Sequence, residues 1–308
     1  MRIVIAGGGT GGHLFPGVAI AEEFRRRDGA NEVLFIGTNR GLEARVLPQT
    51  GFPLAALDVE GIKGRGLVRS VAALAKVPRS LLESRRILRG FAPDVVIGVG
   101  GYASGPAVLA ARCMGLPTAI AEQNAIPGET NRILGKFADR VFVSFPETAR
   151  WFRPGRVRVT GNPIRAAIAA GRRRARKPGD PFTILVFGGS QGAHRINRAV
   201  LEALPHLEDL KDRIRFIHQT GKDDLESVQE GYRERSVRAE VLPFITDMAS
   251  AYGEADLLVC RAGATSIAEI TASGKAAVFI PFPHAVNDHQ TKNAELLVNR
   301  GAAEMIPE

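Results

Sequence analysis

Short runs of apolar and β-branched residues alternate along the chain with longer segments whose apolar positions recur at helical spacing. The short runs predict strands, and the longer segments predict helices. The predicted strands are Arg2–Ala6, Glu32–Ile36, Asp94–Val99, Thr118–Glu122, Arg140–Phe145, Val157–Thr160, Thr183–Phe187, Arg215–Gln219, Ala239–Pro243, Asp256–Cys260 and Ala276–Pro281. The predicted helices include Pro16–Arg27, Ser104–Met114, Ala193–Leu204 and Ser266–Ser273. This alternation is typical of an α/β fold with parallel sheets.

A group of basic residues near the middle of the chain indicates a boundary between two halves. The group consists of Arg172, Arg173, Arg174, Arg176 and Lys177. We interpret residues 166–180 as a solvated linker, because like charges repel one another and stay hydrated; a basic binding arm is the alternative. The sequence therefore predicts two Rossmann-like domains, residues 1–165 and residues 181–308, facing each other across a cleft.

The composition is that of a globular protein with a basic surplus. Among 308 residues, 45% are hydrophobic, and the formal net charge is +9. A positive charge fits an anionic membrane or a phosphorylated ligand. Nucleic-acid binding is disfavoured, because it needs aromatic platforms among the basic residues and only 6% of the residues are aromatic. The two cysteines and the lack of a long apolar run predict a reduced, cytoplasmic protein that is soluble or peripheral on a membrane.

Three glycine-rich loops follow predicted strands and precede predicted helices. They are Gly7–His13, Gly98–Pro106 and Gly188–Ala193, called here the first, second and third glycine loops. Glycines let backbone amides approach an anion, and a following helix adds its positive end. A tight strand-to-helix turn is the alternative for any one loop. Three together predict two phosphate-bearing ligands that meet in the cleft.

The first glycine loop also matches the spacing of the dinucleotide-binding fingerprint, with glycines at positions 7, 9 and 12. A nicotinamide cofactor needs, in addition, a carboxylate at the end of the second strand to bind the ribose. That strand ends in the sequence FIGTN, which has no acidic residue. A P-loop is excluded because no GxxxxGK[ST] sequence occurs. A nicotinamide-dependent oxidoreductase is therefore disfavoured.

A set of short motifs in a fixed order resembles the MurG family of glycosyltransferases. The motifs are GGGTGGHLFP, GVGGYASGP, AEQN, GNPIR, GGSQGA, CRAGATSIAE and HQTKNA, and they span Gly7–Ala294. The resemblance implies the GT-B fold, two Rossmann-like domains with a deep cleft. It implies inverting transfer of N-acetylglucosamine from UDP-N-acetylglucosamine to O4 of the muramyl sugar on undecaprenyl diphosphate, a step of peptidoglycan synthesis. The alternative is another GT-B enzyme that transfers a UDP-sugar to a lipid acceptor.

The sequence departs from the family pattern in two places. Family members continue beyond Pro307-Glu308 with further helices, so we expect the second domain to be incomplete. Ala121 stands where many members have histidine, although Glu122, Gln123 and Asn124 are retained.

The resemblance places the donor mainly in the second domain. The residues expected to bind UDP-N-acetylglucosamine are Thr10, Gly11, Gly12, Asn124, Arg165, Ser190, Phe244, Ile245, Ala264, Thr265, Ser266, Ile267, Ala268, Glu269 and Gln290. Glu269 is expected at the ribose, Ser190 at the phosphates and Gln290 at the sugar. Without the motif, the alternative interpretation of Glu269 is an exposed residue on a helix, as is usual for a single glutamate. No Asp-x-Asp pair occurs, so amides and arginine, without a metal ion or cofactor, are expected to bind the leaving diphosphate.

Inversion in one displacement requires a base for the acceptor hydroxyl. His13 closes the first glycine loop, and the ordinary histidine pKa of about 6.5 suits a base near neutral pH. The alternative for His13 is a loop cap or a phosphate ligand. Glu122 is the rival base; the alternatives for it are that it orients the acceptor or polarises His13. The residues expected to bind the acceptor diphosphate are Gly9, Gly100, Gly101, Tyr102 and Ser104.

A lipid-linked acceptor predicts docking of the first domain on an anionic membrane, at the cytoplasmic face of the plasma (inner) membrane. The segment Arg65–Arg89 mixes apolar residues such as Leu81 and Leu82 with seven basic residues. An amphipathic helix with its apolar side in the core is the alternative. Pro78 is expected to divide the segment into two short helices.

Overall fold

The computed structural model contains two compact α/β units, Met1–Arg165 and Ala166–Glu308. The structure describes residues 1–39, 42–58, 66–171, 177–189 and 192–308, and for residues 66–77 and 286 the backbone alone. Each unit is built around one sheet whose neighbouring strands all run parallel.

The first unit contains a seven-stranded sheet. Its strands are β1 (Arg2–Gly7), β2 (Glu32–Gly37), β3 (Leu54–Ala56), β4 (Val95–Gly100), β5 (Thr118–Glu122), β6 (Arg140–Val143) and β7 (Val157–Val159). Its helices are α1 (Gly11–Arg27), α2 (Glu43–Thr50), α3 (Gly66–Phe91), α4 (Ser104–Cys113) and α5 (Glu129–Leu134), with short 3-10 helices at Pro146–Trp151 and Pro154–Arg156. The strand order is β3-β2-β1-β4-β5-β6-β7, so the direction of winding reverses between β1 and β4. Ligands of such sheets bind beyond the carboxyl ends of the strands at this reversal.

The second unit contains a six-stranded sheet. Its strands are β8 (Phe182–Phe187), β9 (Ile214–Gln219), β10 (Ala239–Leu242), β11 (Leu257–Cys260), β12 (Ala276–Phe279) and β13 (Glu304–Met305). Its helices are α6 (Ala166–Ala169), α7 (His194–Ala203), α8 (Leu225–Glu234), α9 (Met248–Glu254), α10 (Ala264–Ser273) and α11 (His289–Val298), with 3-10 helices at Leu204–Leu210 and Val286–Asp288. The strand order is β10-β9-β8-β11-β12-β13, with its reversal between β8 and β11.

Strand β1 has no alternation of polar and apolar residues, because both of its faces are buried. Ile3, Val4, Ile5 and Ala6 are all fully buried. Val4 and Ala6 pack into one apolar cluster with residues of α3 and α4, whereas Ile3 and Ile5 pack into another with residues of α1. Helices therefore cover both faces of the sheet, as the uninterrupted apolar run indicates.

The predicted strands all occur, with ends within two residues of those expected. Two strands were not predicted, β3 and β13, because segments of three and two residues are too short to show a period. Helix α1 begins at Gly11 rather than Pro16, since a proline early in a helix removes few intrahelical bonds. The predicted linker stays a prediction: Ala166–Ala169 form α6, and residues 172–176 lie outside the described residues.

The expected break at Pro78 was wrong, because α3 is one helix of 26 residues. A proline removes one backbone hydrogen bond from a helix, and α3 remains helical on both sides of Pro78. Packing of Leu88 in the core stabilises the helix against this loss. Leu81 also packs against this core, so it is not available to a membrane. No helix in the described part of the chain is long and apolar enough to cross a membrane.

A buried polar network holds three elements of the second unit together around His218. Its Nδ1 lies 3.0 Å from the Tyr232 hydroxyl on α8, and its Nε2 lies 3.0 Å from Asn197 Oδ1 on α7. The Asn197 side chain donates in turn to Asp224 Oδ2 at 2.7 Å and to the Thr220 carbonyl at 2.9 Å. Burial lowers the pKa of His218 to about 4, against the opposing attraction of the Asp224 carboxylate.

We expect this histidine to make the second unit sensitive to acid. The pKa of His218 in the folded protein lies below the ordinary histidine value. Between about pH 6.5 and pH 4, the unfolded chain therefore binds a proton on His218 that the folded chain does not bind. The free energy of unfolding should therefore fall across that window as the pH is lowered, by about 3 kcal/mol from His218. Urea unfolding followed by circular dichroism should show this loss in the wild type, and His218→Gln should lack it. Identical pH dependence in the two proteins would contradict the assignment.

Candidate functional site

The first and second glycine loops pack directly against each other at the reversal of strand order in the first unit. Gly7 pairs with Gly100 across β1 and β4, and a Cβ atom on Gly7 would collide with the Gly100 carbonyl. Gly101 has a left-handed φ of +83°, and a Cβ atom there would lie 2.5 Å from the Gly8 carbonyl oxygen. Only glycine fits these positions. The two loops therefore form one continuous backbone surface.

His13, in the first turn of α1, lies against this backbone surface. A Cβ atom on Gly100 would lie 2.6 Å from His13 Nδ1, so the ring rests on the second loop. The same nitrogen lies 3.3 Å from Gln123 Oε1. The Gln123 side chain is oriented by its own bond, in which Nε2 donates to the Ala121 carbonyl at 3.1 Å. An amide oxygen only accepts, so we assign the proton of neutral His13 to Nδ1, which leaves Nε2 as the basic nitrogen.

Glu122, the rival base, is buried at the end of β5 and holds the loop that follows. Its Oε1 accepts bonds from the backbone and side-chain nitrogens of Asn124 at 2.9 and 3.2 Å. Its Oε2 accepts bonds from the Gly128 amide at 3.1 Å and from Asn131 Nδ2 at 2.9 Å. A carboxylate offers about four acceptor sites, and four donors occupy them here. This arrangement disfavours Glu122 as the base, and Gln123 rather than Glu122 contacts His13.

Glu43, which was not among the predicted site residues, is a carboxylate buried beneath the first glycine loop. Glu43 begins α2, and its Oε1 accepts bonds from the Thr38 amide at 2.9 Å and the Thr38 hydroxyl at 2.8 Å. Its Oε2 accepts a bond from the Gly9 amide at 2.8 Å. A carboxylate from the next helix thus lies near the end of β2, where it binds the protein's own backbone and Thr38 hydroxyl. A signal was present, because an acidic residue in a first helical turn is well placed to accept backbone amides.

Two residues expected at the acceptor diphosphate have a polar group that is already bonded or is buried. The Gly9 amide points to Glu43, so it is not presented to an anion. Ser104 is fully buried, and its Oγ lies where a side chain on Gly98 would be, without a hydrogen-bond partner among the described residues. The small serine fills the space between α4 and β4, and binding of the acceptor diphosphate by its hydroxyl stays a prediction. Tyr102 is 55% exposed, between the Gly100–Gly101 backbone and α4.

The other first-unit residues expected at the donor lie around the same sheet edge. Thr10 precedes α1, and Gly11 and Gly12 form its first turn. Asn124 is bonded to Glu122, and the Arg165 guanidinium stacks over the Phe15 ring on α1 at 4.4 Å. The structure therefore brings the ends of β1, β4 and β5 together with His13. The donor contacts themselves stay predictions.

In the second unit, α10 begins directly after β11 at the reversal of strand order. Gly263 occupies the position before Ala264, and glycine has no side chain that could cap the helix. The predicted residues Ala264, Thr265, Ile267 and Glu269 are buried, whereas Ser266 and Ala268 are partly exposed. Glu269 is only 3% exposed, and its Oε2 accepts a bond from the Tyr252 hydroxyl at 3.2 Å. Its environment is thus that of a buried, hydrogen-bonded carboxylate and not that of an exposed helix residue.

The remaining donor-site predictions lie at neighbouring strand ends. Ile245 is buried, as its residue type indicates, and Phe244 beside it is half-buried. Gln290 lies in the first turn of α11, and its Oε1 accepts a bond from the Phe282 amide at 3.0 Å. Ser190 lies outside the described residues. Among the residues that the structure describes, no three histidine, cysteine or acidic side chains are grouped to hold a metal ion.

Comparison with known proteins places this arrangement in a family. Residues 3–143 match the glycosyltransferase family 28 N-terminal domain, and residues 183–308 match the C-terminal domain of the same family. The chain is 63% identical over 308 residues to the UDP-N-acetylglucosamine–N-acetylmuramyl-(pentapeptide) pyrophosphoryl-undecaprenol N-acetylglucosamine transferase of Syntrophus aciditrophicus, covering 100% of this chain and 85% of that protein. It is 56% identical over 309 residues to the protein of the same name from Citrifermentans bemidjiense, covering 100% and 86%.

A solved structure agrees with these sequence relatives. MurG of Acinetobacter baumannii superposes with a TM-score of 0.75 at 35% identity, covering 99% of this chain and 85% of that one. The expected two-domain α/β fold of the GT-B class is therefore confirmed.

We expect Glu43 to stabilise the first unit through its three bonds. Glu43→Gln keeps the shape of the side chain but places an amide NH₂ group against N–H and O–H donors. This substitution should lower the free energy of unfolding by about 1–3 kcal/mol. Fluorescence of Trp151, the one tryptophan of the sequence, reports this unit during urea unfolding. Glu32→Gln is the control, because Glu32 forms only an exposed ion pair with Arg2 at 3.5 Å. Equal stability of both variants would contradict the role of Glu43.

Proposed function

The chain belongs to glycosyltransferase family 28, and we propose which of its residues bind the donor, hold the acceptor and remove the proton. It is a hexosyltransferase that transfers N-acetylglucosamine from UDP-N-acetylglucosamine to the N-acetylmuramyl-pentapeptide carried on undecaprenyl diphosphate. The observation that carries this function is the 63% identity across all 308 residues to a transferase of that name. The product is the lipid-linked disaccharide-peptide used in peptidoglycan synthesis.

The acceptor side is proposed to lie on the joined backbone of the first and second glycine loops. The Gly100–Gly101 backbone and the exposed Tyr102 are offered to the lipid diphosphate. His13 Nε2 takes the proton from the muramyl O4 hydroxyl as that oxygen attacks the anomeric carbon and UDP departs. Support comes from the Gln123 bond, which fixes Nδ1 as the protonated nitrogen. A neutral imidazole held in one tautomer is suited to general-base catalysis.

The donor side is proposed to lie mainly in the second unit. The first-turn amides of α10 are directed at the UDP diphosphate, where the helix dipole stabilises the charge that develops as the bond to the sugar breaks. Glu269 accepts bonds from the ribose hydroxyls, and Tyr252 holds its carboxylate in place. Phe244 and Ile245 flank the uracil, Gln290 contacts the sugar, and Arg165 offsets phosphate charge.

The direct test of the function is transfer of labelled N-acetylglucosamine to a lipid-diphosphate muramyl-peptide, with other UDP-sugars as competitors. In that assay His13→Ala should lower turnover by about 10²–10⁴-fold while leaving the affinity for UDP nearly unchanged, because only proton removal is lost. Glu122→Gln should instead lower the melting temperature, since it disrupts a buried cluster of four bonds. If Glu122→Gln abolishes turnover in a fully folded protein while His13→Ala retains it, the roles are reversed.

Docking on an anionic membrane surface is proposed for α3. Among the residues of α3 whose side chains are described, Leu82 is 67% exposed. Exposed arginines at positions 79, 85, 86 and 89 lie on the same face of the helix. The opposite face, with Ser84 and Leu88, is buried. One helix thus anchors itself in the core and offers a cationic stripe with an apolar tip, which suits the headgroup region of an anionic bilayer.

Charge reversal of Arg79, Arg85 and Arg86 to glutamate should reduce co-sedimentation with anionic vesicles, because each cation near the surface contributes about 1 kcal/mol. Turnover on a water-soluble acceptor analogue should stay normal. A matched control reverses Arg198, Arg235 and Arg238 on the second unit, where Arg198 pairs with Glu202 as Arg79 pairs with Glu83. Equal vesicle binding of the two triple variants would exclude α3 as the docking surface.

A further inference from the structure

We propose that Gln219 is a positioning residue for the donor nucleotide: its side-chain amide fixes the Gly189 backbone after β8 relative to the Phe244–Ile245 segment. The inference rests on the proposed function, in which Phe244 and Ile245 flank the uracil, and on the expectation from the family resemblance that the third glycine loop lies at the phosphates. Gln219 itself is proposed to contact neither.

The geometry is that of a bridge across three neighbouring strands. Gln219 ends β9, which lies between β10 and β8 in the sheet. Its Nε2 donates to the Gly189 carbonyl at 2.7 Å, in the loop that follows β8. Its Oε1 accepts a bond from the Ile245 amide at 2.8 Å, in the segment that follows β10. One planar amide therefore links the backbones that leave the two flanking strands.

The two described glycines that flank positions 190 and 191 both contact the end of β9. The Gly189 carbonyl also accepts a bond from the Gly192 amide at 3.1 Å. Gly192 has a left-handed φ of +80°, and a Cβ atom there would collide with the Thr220 carbonyl. Gly189 and Gly192 therefore pack against Gln219 and Thr220. Thr220 is tied in turn to the end of β10, because its amide donates to the Leu242 carbonyl at 3.0 Å.

The chemistry of the bridge requires a carboxamide. A donor must face the Gly189 carbonyl and an acceptor must face the Ile245 amide, and a glutamine side chain supplies both within one rigid group. An ionised glutamate has acceptors only, and a methionine of similar length has no strong donor or acceptor. Gln219 is 4% exposed, so water does not readily replace a lost partner.

A positioning role for Gln219 can be distinguished from a purely stabilising role by which binding and kinetic constants its substitution changes. If Gln219 sets the distance between the diphosphate loop and the base-binding segment, its loss weakens any ligand that spans both. Interactions of the acceptor are not affected, because the acceptor is proposed to bind the first unit. The expected signature is a raised Kd for UDP and a raised KM for UDP-N-acetylglucosamine. The acceptor KM and the kcat at saturating donor should stay near the wild-type values.

The test is calorimetric titration of the full chain with UDP, together with donor and acceptor kinetics. Gln219→Met should raise the Kd for UDP about tenfold or more, as for loss of two buried hydrogen bonds. The matched control is Gln229→Met, because Gln229 is exposed and makes one long bond to the Val241 carbonyl at 3.5 Å. Equal UDP affinity of Gln219→Met and the wild type would overturn the proposal. So would a loss that Gln229→Met reproduces.

A second variant keeps the test decisive if Gln219→Met does not fold. In Gln219→Glu the new carboxyl, when protonated, again donates to Gly189 and accepts from Ile245. Its UDP affinity relative to the wild type should therefore recover as the pH is lowered into the range where a buried carboxyl takes up a proton. A pH-independent ratio would overturn the bridge. Failure of the wild type itself to bind UDP would reject the proposed function, which distinguishes that failure from failure of the Gln219 bridge alone.

Discussion

Contact between the backbones of the first and second glycine loops is the constraint on which the rest of the first-unit site depends. Because β1 and β4 are neighbours at the reversal of strand order, both loops leave the sheet at one edge and compete for the same space. Gly7 and Gly101 remove the Cβ atoms that would keep the loops apart. The close approach then places His13, which follows the first loop, directly against the Gly100 backbone. The position of the proposed base is thus a consequence of loop packing.

The strands and the location of the site could be predicted because their signals are local. Each strand is an apolar run bounded by glycine, proline or charge, and each glycine loop stands between a strand and a helix. The specific role of each glycine could not be read in the same way. Gly7 and Gly101 are needed for contacts with residues more than ninety positions away, and nothing in their own neighbourhoods distinguishes them from glycines that approach an anion.

Tertiary contacts override the ordinary behaviour of a residue type at several positions. Pro78 commonly interrupts a helix, yet core packing of α3 keeps the helix continuous through it. Ser104 commonly offers a hydroxyl at a helix start, yet its side chain fills a space beside Gly98. Glu122 has the chemistry of a base, but its four donors are supplied by a loop whose course the sequence does not reveal. In each case the deciding partner lies on another element.

Glu43, Glu122 and Gln219 share one physical task, although they come from different elements. Each is buried at the carboxyl edge of a sheet, and each accepts a bond from a backbone amide in a loop at that edge. A glycine-rich loop loses much conformational entropy when it becomes ordered, so it needs fixed partners to hold one shape. Buried amides also need acceptors, because an unpaired amide away from water is costly. Glycines therefore permit the close approach of backbone to ligand, while these three polar side chains supply the order that glycine cannot. Under the proposed function, Glu43 and Glu122 order loops on the acceptor side, whereas Gln219 orders the Gly189 and Ile245 backbones on the donor side. Electrostatic stabilisation in an active site requires amides that are already oriented before the reaction begins, and buried side chains can supply that order without touching the substrate.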